Sequence, residues 1–154
     1  MHVSAGRVEG IFFGPERTLP EPVERVRAVA GRGLEGNRYF YAEAPPGRAL
    51  TLIQSEALDG MLEDTGIELS AAESRRNVLT SGIDLNALVG KRFRVGLVEC
   101  VGVELCHPCS SLEKMTQKGV IKGLVNRGGL NADILTDGEI AVGDPVEELA
   151  AEAA

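Results

Sequence analysis

A mainly β architecture, closed as a β-barrel and carrying two or three short helices, is predicted by three observations. Glycine is abundant, at 19 residues, while aromatics make up only 4% of the chain. Short Val/Ile/Leu runs recur between Gly, Pro and Asn punctuation, which suits short strands joined by turns better than long helices. Within Phe93 to Leu105 the apolar residues follow a period of two, as one face of a half-buried strand does.

The first strand is expected in "RVEGIFFG", Arg7 to Gly14, after which Pro20, Pro22, Pro45 and Pro46 mark loops. "GRGLEGNRYF" carries Gly31, Gly33 and Gly36. It reads as a glycine-rich loop, because it lacks the Gly-Lys-Ser/Thr of a P-loop and no helical pattern follows it. "ALTLIQ", Ala49 to Gln54, is the next strand. Ser55 then opens a helix through "SEALDGMLEDTG", with Leu58 and Leu62 on one face and Gly66 as terminator. "SAAE", Ser70 to Glu73, fits a capping box before the strand "RNVLTSG". In "KRFRVGLVECVGVELC", Phe93, Val95 and Leu97, with Val101, Val103 and Leu105, form one face, interrupted at Gly96 and Gly102 by bulges or bends. "SSLE", Ser110 to Glu113, fits a second capping box and opens a short helix through Lys118. In "ADILTDGEIAVGDPVEEL", Asp137-Gly138 is a tight-turn signature joining two strands.

A length of 154 residues suits one domain, here 1–154, able to bury roughly two-thirds of its extended surface. No apolar run reaches the length of a membrane span, and "MHVSAGRVEG" has no signal-peptide pattern, so the expected compartment is the cytoplasm. Three cysteines without an export signal argue for reduced thiols rather than a disulfide framework. A net charge of −7 argues against nucleic acid as a partner. Acid collects between Glu56 and Glu73 and in the C-terminal tail. Arg75, Arg76, Lys91, Arg92, Arg94, Lys118, Lys122 and Arg127 lie from the middle of the chain onward, so a basic pocket for a small anion can sit on an acidic molecule.

Cys106-His107-Pro108-Cys109 carries the most chemistry. A structural zinc site needs a second ligand pair, for which only Cys100 and His2 remain. A thiol-disulfide pair would use Cys106 and Cys109, but this one follows a β-rich run instead of the first strand of a βαβ unit. As a single thiol, Cys109 just before a helix would lie at its positive end, a location that favours thiolate and suits a nucleophile, sulfur carrier or soft-metal ligand. A buried packing role for Cys109 is the remaining alternative. Cys100, inside an apolar strand, reads as core. Arg127 before Gly128-Gly129 is a plausible anion-binding turn, and Arg75-Arg76-Asn77 would place one guanidinium inward with Asn77 as a polar contact.

Taken in order, "GRGLEGNR", "LTLIQSEAL", "SRRNVLTSGIDLNALVGKRFRVGLVECVGVELCHPC" and "GLVNRGGLNADILTDGEIAVGDPVEEL" resemble the MOSC domain family, over about Gly31 to Leu149. The resemblance implies a β-barrel of the pyruvate kinase barrel type and a family cysteine at Cys109. In that family the cysteine is proposed to carry sulfur as a persulfide or to ligate molybdenum. It further implies a molybdenum cofactor (molybdopterin), with Arg76, Asn77, Arg127 and Arg38 holding the pterin phosphate. Family members either handle sulfur or reduce N-hydroxylated compounds. A carrier implies a sulfur donor such as a cysteine desulfurase; a reductase implies an external electron donor, since no ferredoxin-like domain is recognised in the chain; a module that only binds and delivers the cofactor needs neither. Where many members have Gly-Asp-Arg-His, this chain has Gly36-Asn37-Arg38-Tyr39, which removes an acid and a possible general base.

Overall fold

Alternation, turn chemistry and two helical caps account for most of the elements observed. The computed structural model describes residues 5–14, 19–37 and 40–149. In chain order these form β1 (Ala5–Phe13), β2 (Glu21–Val23), β3 (Arg25–Val29), β4 (Gly33–Leu34), β5 (Leu50–Gln54), α1 (Ser55–Thr65), α2 (Ala71–Ser74) and β6 (Val78–Ser81). A 3-10 turn (Leu85–Leu88) follows, then β7 (Arg92–Val95), β8 (Val98–Leu105), α3 (Ser110–Met115), α4 (Val120–Gly123), β9 (Leu130–Ile134), β10 (Gly138–Ala141) and β11 (Pro145–Glu148).

The strands run β11-β7-β8-β9-β5-β6-β1, and β11 pairs back onto β1, closing a seven-stranded barrel. Closure removes the exposed edges that an open sheet would leave. The barrel pairs are antiparallel except β5 with β6. That parallel pair needs a long crossover, which α1 and α2 supply. Inward residues such as Ile11, Leu50, Leu52, Phe93, Val98 and Leu130 fill the barrel and are essentially solvent-free. A smaller apolar cluster of Met61, Leu69, Leu112, Val120 and Leu124 packs α1, α3 and α4 together beside it.

Several expectations need correction. Four short α-helices form among the described residues, where two or three were expected. The apolar face does not continue from Leu97 to Val101: Gly96, at φ 62, and Leu97 form a hairpin turn in which Val95 faces Val98 and Phe93 faces Cys100. Cross-strand partners share a face, so the inward set passes from odd to even positions and Leu97 is left 85% exposed at the tip. Gly102 does mark a register irregularity, between Gly102 and Glu104. Asp137-Gly138 does not join a hairpin, since β9 pairs with β5 and β8 while β10 pairs with β3. Instead the Ala30 N–H donates to Asp137 Oδ1, tying the three-stranded sheet β10-β3-β4 to the turn. β3 lies in a stretch assigned no strand, although Val26 and Ala28 between arginines already show the period of two.

Among the helices, Gly66 ends α1 in the left-handed conformation at φ 76 as expected, but Gln54 rather than Ser55 occupies the N-cap. The buried face of α1 is Ala57 and Met61, with Leu58 partly buried against the same cluster, while Leu62 is exposed. The Ser70–Glu73 capping box forms in full, with Ser70 Oγ accepting from the Glu73 N–H and Glu73 Oε1 from the Ser70 N–H. The second box does not form. Cys109 is itself the N-cap of α3, and Glu113 turns away to accept from the N–H groups of Gly119 and Ile121. Among the described residues no helix is long and apolar enough to cross a membrane.

Candidate functional site

A cavity of about 420 Å³ lies against the barrel wall, between β5, β9 and the segment that runs from β8 into α3. Thr51 and Asn131, register partners on β5 and β9, line its strand side, and Leu112 and Met115 of α3 give it an apolar wall. Its charged lining is one-sided: Arg48, Arg75 and Arg76 with His107, and no carboxylate among the described residues. On a chain of net charge −7, this is the basic pocket that the sequence led one to expect. Of the basic residues named for it, Arg75 and Arg76 take part.

Arg76 owes its position to Arg75, which adopts the left-handed conformation (φ 62) as the C-cap of α2 and turns the chain into β6. Arg76 is 91% buried, at 9% relative exposure. Its Nε donates to the Gly128 carbonyl at 2.8 Å and its Nη1 to the Ser74 carbonyl at 3.3 Å, while Nη2 has no partner among the described residues. Leaving a buried donor unsatisfied costs about 1–3 kcal/mol, and more for a charged group, so an anion in the cavity has an unmade bond to complete. Asn77 is committed differently. Its Oδ1 accepts from the N–H and hydroxyl of Thr51, and its Nδ2 donates to the Phe12 carbonyl, pinning β1, β5 and β6 together.

Cys109 is exposed, extended at φ −124 and ψ 169, and its side chain makes no capping bond, so the sulfur is available at the cavity. Cys106 lines the same cavity but is partly buried. Burial pushes its thiol above the ordinary value, opposed by the Arg76 guanidinium, reinforced by Cys109, opposed by Arg48 and reinforced again by Glu104. Gly128 and Gly129 hold this segment. The Cys106 N–H donates to the Gly129 carbonyl at 2.7 Å, and a Cβ on Gly128 would strike the Cys106 carbonyl and come within 2.9 Å of Pro108 Cδ. The two glycines permit a close approach, as proposed for this turn, but the approach is to the chain's own cysteine loop.

Cys109, Arg76 and Asn77 are therefore brought together. Arg127 does not line the cavity: its Nε donates to the Gly123 carbonyl and its Nη2 pairs with Asp64 at 2.9 Å, fastening α4 to α1 across Gly60. Arg38 and Tyr39 lie outside the described residues. Their neighbour Asn37 is buried with Oδ1 accepting from the Gly14 N–H, and it is not part of the cavity lining. Sequence reasoning missed Arg48, Thr51, Asn131 and Ser111. The only local signal for Arg48 is its place between a Pro-Pro-Gly turn and the strand "ALTLIQ". Among the described residues no three His, Cys, Asp or Glu side chains converge as metal ligands would.

The three thiols should separate by accessibility. We expect Cys109 to react first with a thiol reagent, Cys106 more slowly, and Cys100, fully buried, only on unfolding. Peptide mapping after timed alkylation checks the order. Cys100 also makes stability pH-dependent. Burial, then the Asp133 and Glu99 carboxylates, push its thiol up to about 12. Below its unfolded value near 9 the thiol is neutral in both states and nothing is lost. Above that value only the unfolded chain releases the proton, so this contribution falls by about 1.4 kcal/mol per pH unit until the folded value is reached. The upward shift at Cys106 acts in the same sense. Urea midpoints should drop as pH rises above roughly 9, and less so in Cys100→Ala.

A small barrel with an arginine-lined cavity and an accessible thiol defines the class: a β-barrel domain carrying an exposed cysteine at a basic cavity. The chain belongs to the MOSC domain family, whose profile matches residues 35–147. Among solved structures, the YuaD protein from Bacillus subtilis superimposes with a TM-score of 0.83 at 14% identity, over 98% of this chain and 99% of that one. YiiM from Geobacillus stearothermophilus gives 0.75 at 19% identity, over 94% and 75%. YiiM from Escherichia coli gives 0.70 at 18%, over 96% and 72%. At these identities the likeness is one of fold. No curated protein matches the chain.

Proposed function

We propose that this protein binds the molybdenum cofactor in the Cys109 cavity, the cofactor with which the MOSC family is associated. One observation carries the reading: among the described residues, Cys109 and the unpartnered Nη2 of buried Arg76 belong to one cavity lined by no carboxylate. The residues fit such a group. Arg76, with Arg48 and Arg75, suits a phosphate through charge-assisted hydrogen bonds, and the Cys109 sulfur is the soft donor that molybdenum accepts. When bound, the cofactor would supply two-electron metal redox chemistry, including reduction of N-hydroxylated compounds with an external electron donor. Met115 and Leu112 would shield one side of the ligand from water.

Gel filtration after incubation with free molybdenum cofactor tests this. Wild type should retain molybdenum and pterin together. Arg76→Met should bind about tenfold to a hundredfold more weakly, the equivalent of one charged hydrogen bond. Failure of wild type to retain either component would remove cofactor binding.

A second reading, in which Cys109 accepts sulfur as a persulfide from a donor such as a cysteine desulfurase, is favoured by one separate observation. A second thiol, Cys106, shares the cavity, and a single-ligand role for Cys109 has no use for it.

A further inference from the structure

We propose that Cys106 is the resolving thiol of this site, releasing a sulfur atom carried on Cys109 as sulfide by closing a Cys106–Cys109 disulfide. The inference rests on the carrier reading and assigns the step that empties the carrier.

Both thiols line the same cavity, three residues apart, with Pro108 between them restricting the backbone. Their settings divide the work. Cys109, exposed at the N-cap of α3, can meet a sulfur donor at the surface. Cys106, anchored through its N–H to Gly129 and blocked behind by Gly128, sits within the cavity. Cys106 is partly buried, so it does not compete with exposed Cys109 for the incoming donor, and Arg76 and Arg48, lining the same cavity, favour its anion when it attacks. Arg75 and His107 also line the cavity.

The step balances. The Cys106 sulfur gives up its proton to water in the open cavity and attacks Cys109 Sγ, forming the Cys106–Cys109 bond. The bond from Cys109 Sγ to the carried sulfur breaks, and that sulfur leaves with the electron pair as hydrosulfide. The two cysteine sulfurs together lose two electrons and the carried sulfur gains them. An external dithiol then reduces the disulfide and restores the site.

The test loads the whole protein with inorganic polysulfide, removes excess reagent anaerobically, and follows intact mass and free sulfide. Wild type should release sulfide and lose two hydrogens from its resting mass, with residues 106 and 109 joined inside one peptide that regains the two hydrogens on treatment with dithiothreitol. Cys106→Ser should hold the added sulfur on Cys109 and release sulfide about tenfold more slowly or worse. A wild type that holds its sulfur as long as Cys106→Ser overturns the inference while the carrier reading stands. Failure of both proteins to gain sulfur overturns both. Diamide treatment of wild type gives a check that needs no variant: the same peptide joined at 106 and 109 is expected, and a protein whose thiols stay unlinked overturns the assignment.

Discussion

Cys109→Ser should lose metal retention and sulfur loading together while keeping the fold. The side chain is exposed and makes no capping bond, so its replacement removes no packing and no hydrogen bond. Serine is in fact a better N-cap, because its hydroxyl can accept from the free N–H groups of the first turn, a gain of up to about 1 kcal/mol. The chemistry moves the other way. A hydroxyl at neutral pH is neither a soft donor for molybdenum nor able to form a persulfide. Loss of function with an unchanged or slightly raised Tm is therefore the expected pattern. Molybdenum and pterin after gel filtration, intact mass after polysulfide, and a thermal melt measure it. Pterin should still be retained, weakly, through the arginines. Full metal retention and full sulfur loading in the variant would sink both readings of Cys109.

Gly129→Ala should be among the most destabilising single methyl additions in the chain. Gly129 has φ 118, and a Cβ there would collide with the Leu52 carbonyl, on the strand that pairs with β9 at Leu130. Neither side can yield cheaply. Moving β5 opens the barrel, and moving Gly129 shifts both the carbonyl that holds Cys106 and the neighbouring one that holds Arg76. Backbone strain and overpacking together put the cost at about 3–5 kcal/mol, or a fall in Tm of roughly 10 °C. Gly143→Ala is the control: its φ of 95 is strained too, but the added methyl meets nothing within 4 Å, so about 1 kcal/mol is expected. Urea and thermal unfolding of the pair decide the matter. Equal, mild effects would mean that the Gly129 backbone does not pack as closely as described.

The arginines show what kind of information each level holds. That Arg76 turns inward was legible, because the turn before a strand and the alternation after it are local; that Arg75 lines the same cavity rather than facing solvent was not. That Arg76 meets the Gly128 carbonyl was not legible either, since those residues are 52 positions apart and only the pairing of β5 with both β6 and β9 joins them. Arg127 is adjacent to that glycine pair, and proximity in sequence suggested that it shared the site. In three dimensions the chain turns at Gly128-Gly129, leaving Arg127 on α1 and α4 and bringing the cysteine loop and Arg76 to the glycines.

The sequence by itself determined the β-rich class, the αL stop of α1 at Gly66, the capping box at Ser70 and the burial of Cys100. Each of these depends on groups within a few residues, whose geometry is set by sterics and local hydrogen bonds. The tertiary structure alone decided which face β8 buries after the Gly96-Leu97 turn, that β10 leaves β9 for β3, and that Cys109 rather than Ser110 caps α3. It also decided which arginine stands beside the thiols. Those outcomes follow from register and from the packing of strands far apart in the chain, where a shift of one residue exchanges inside for outside.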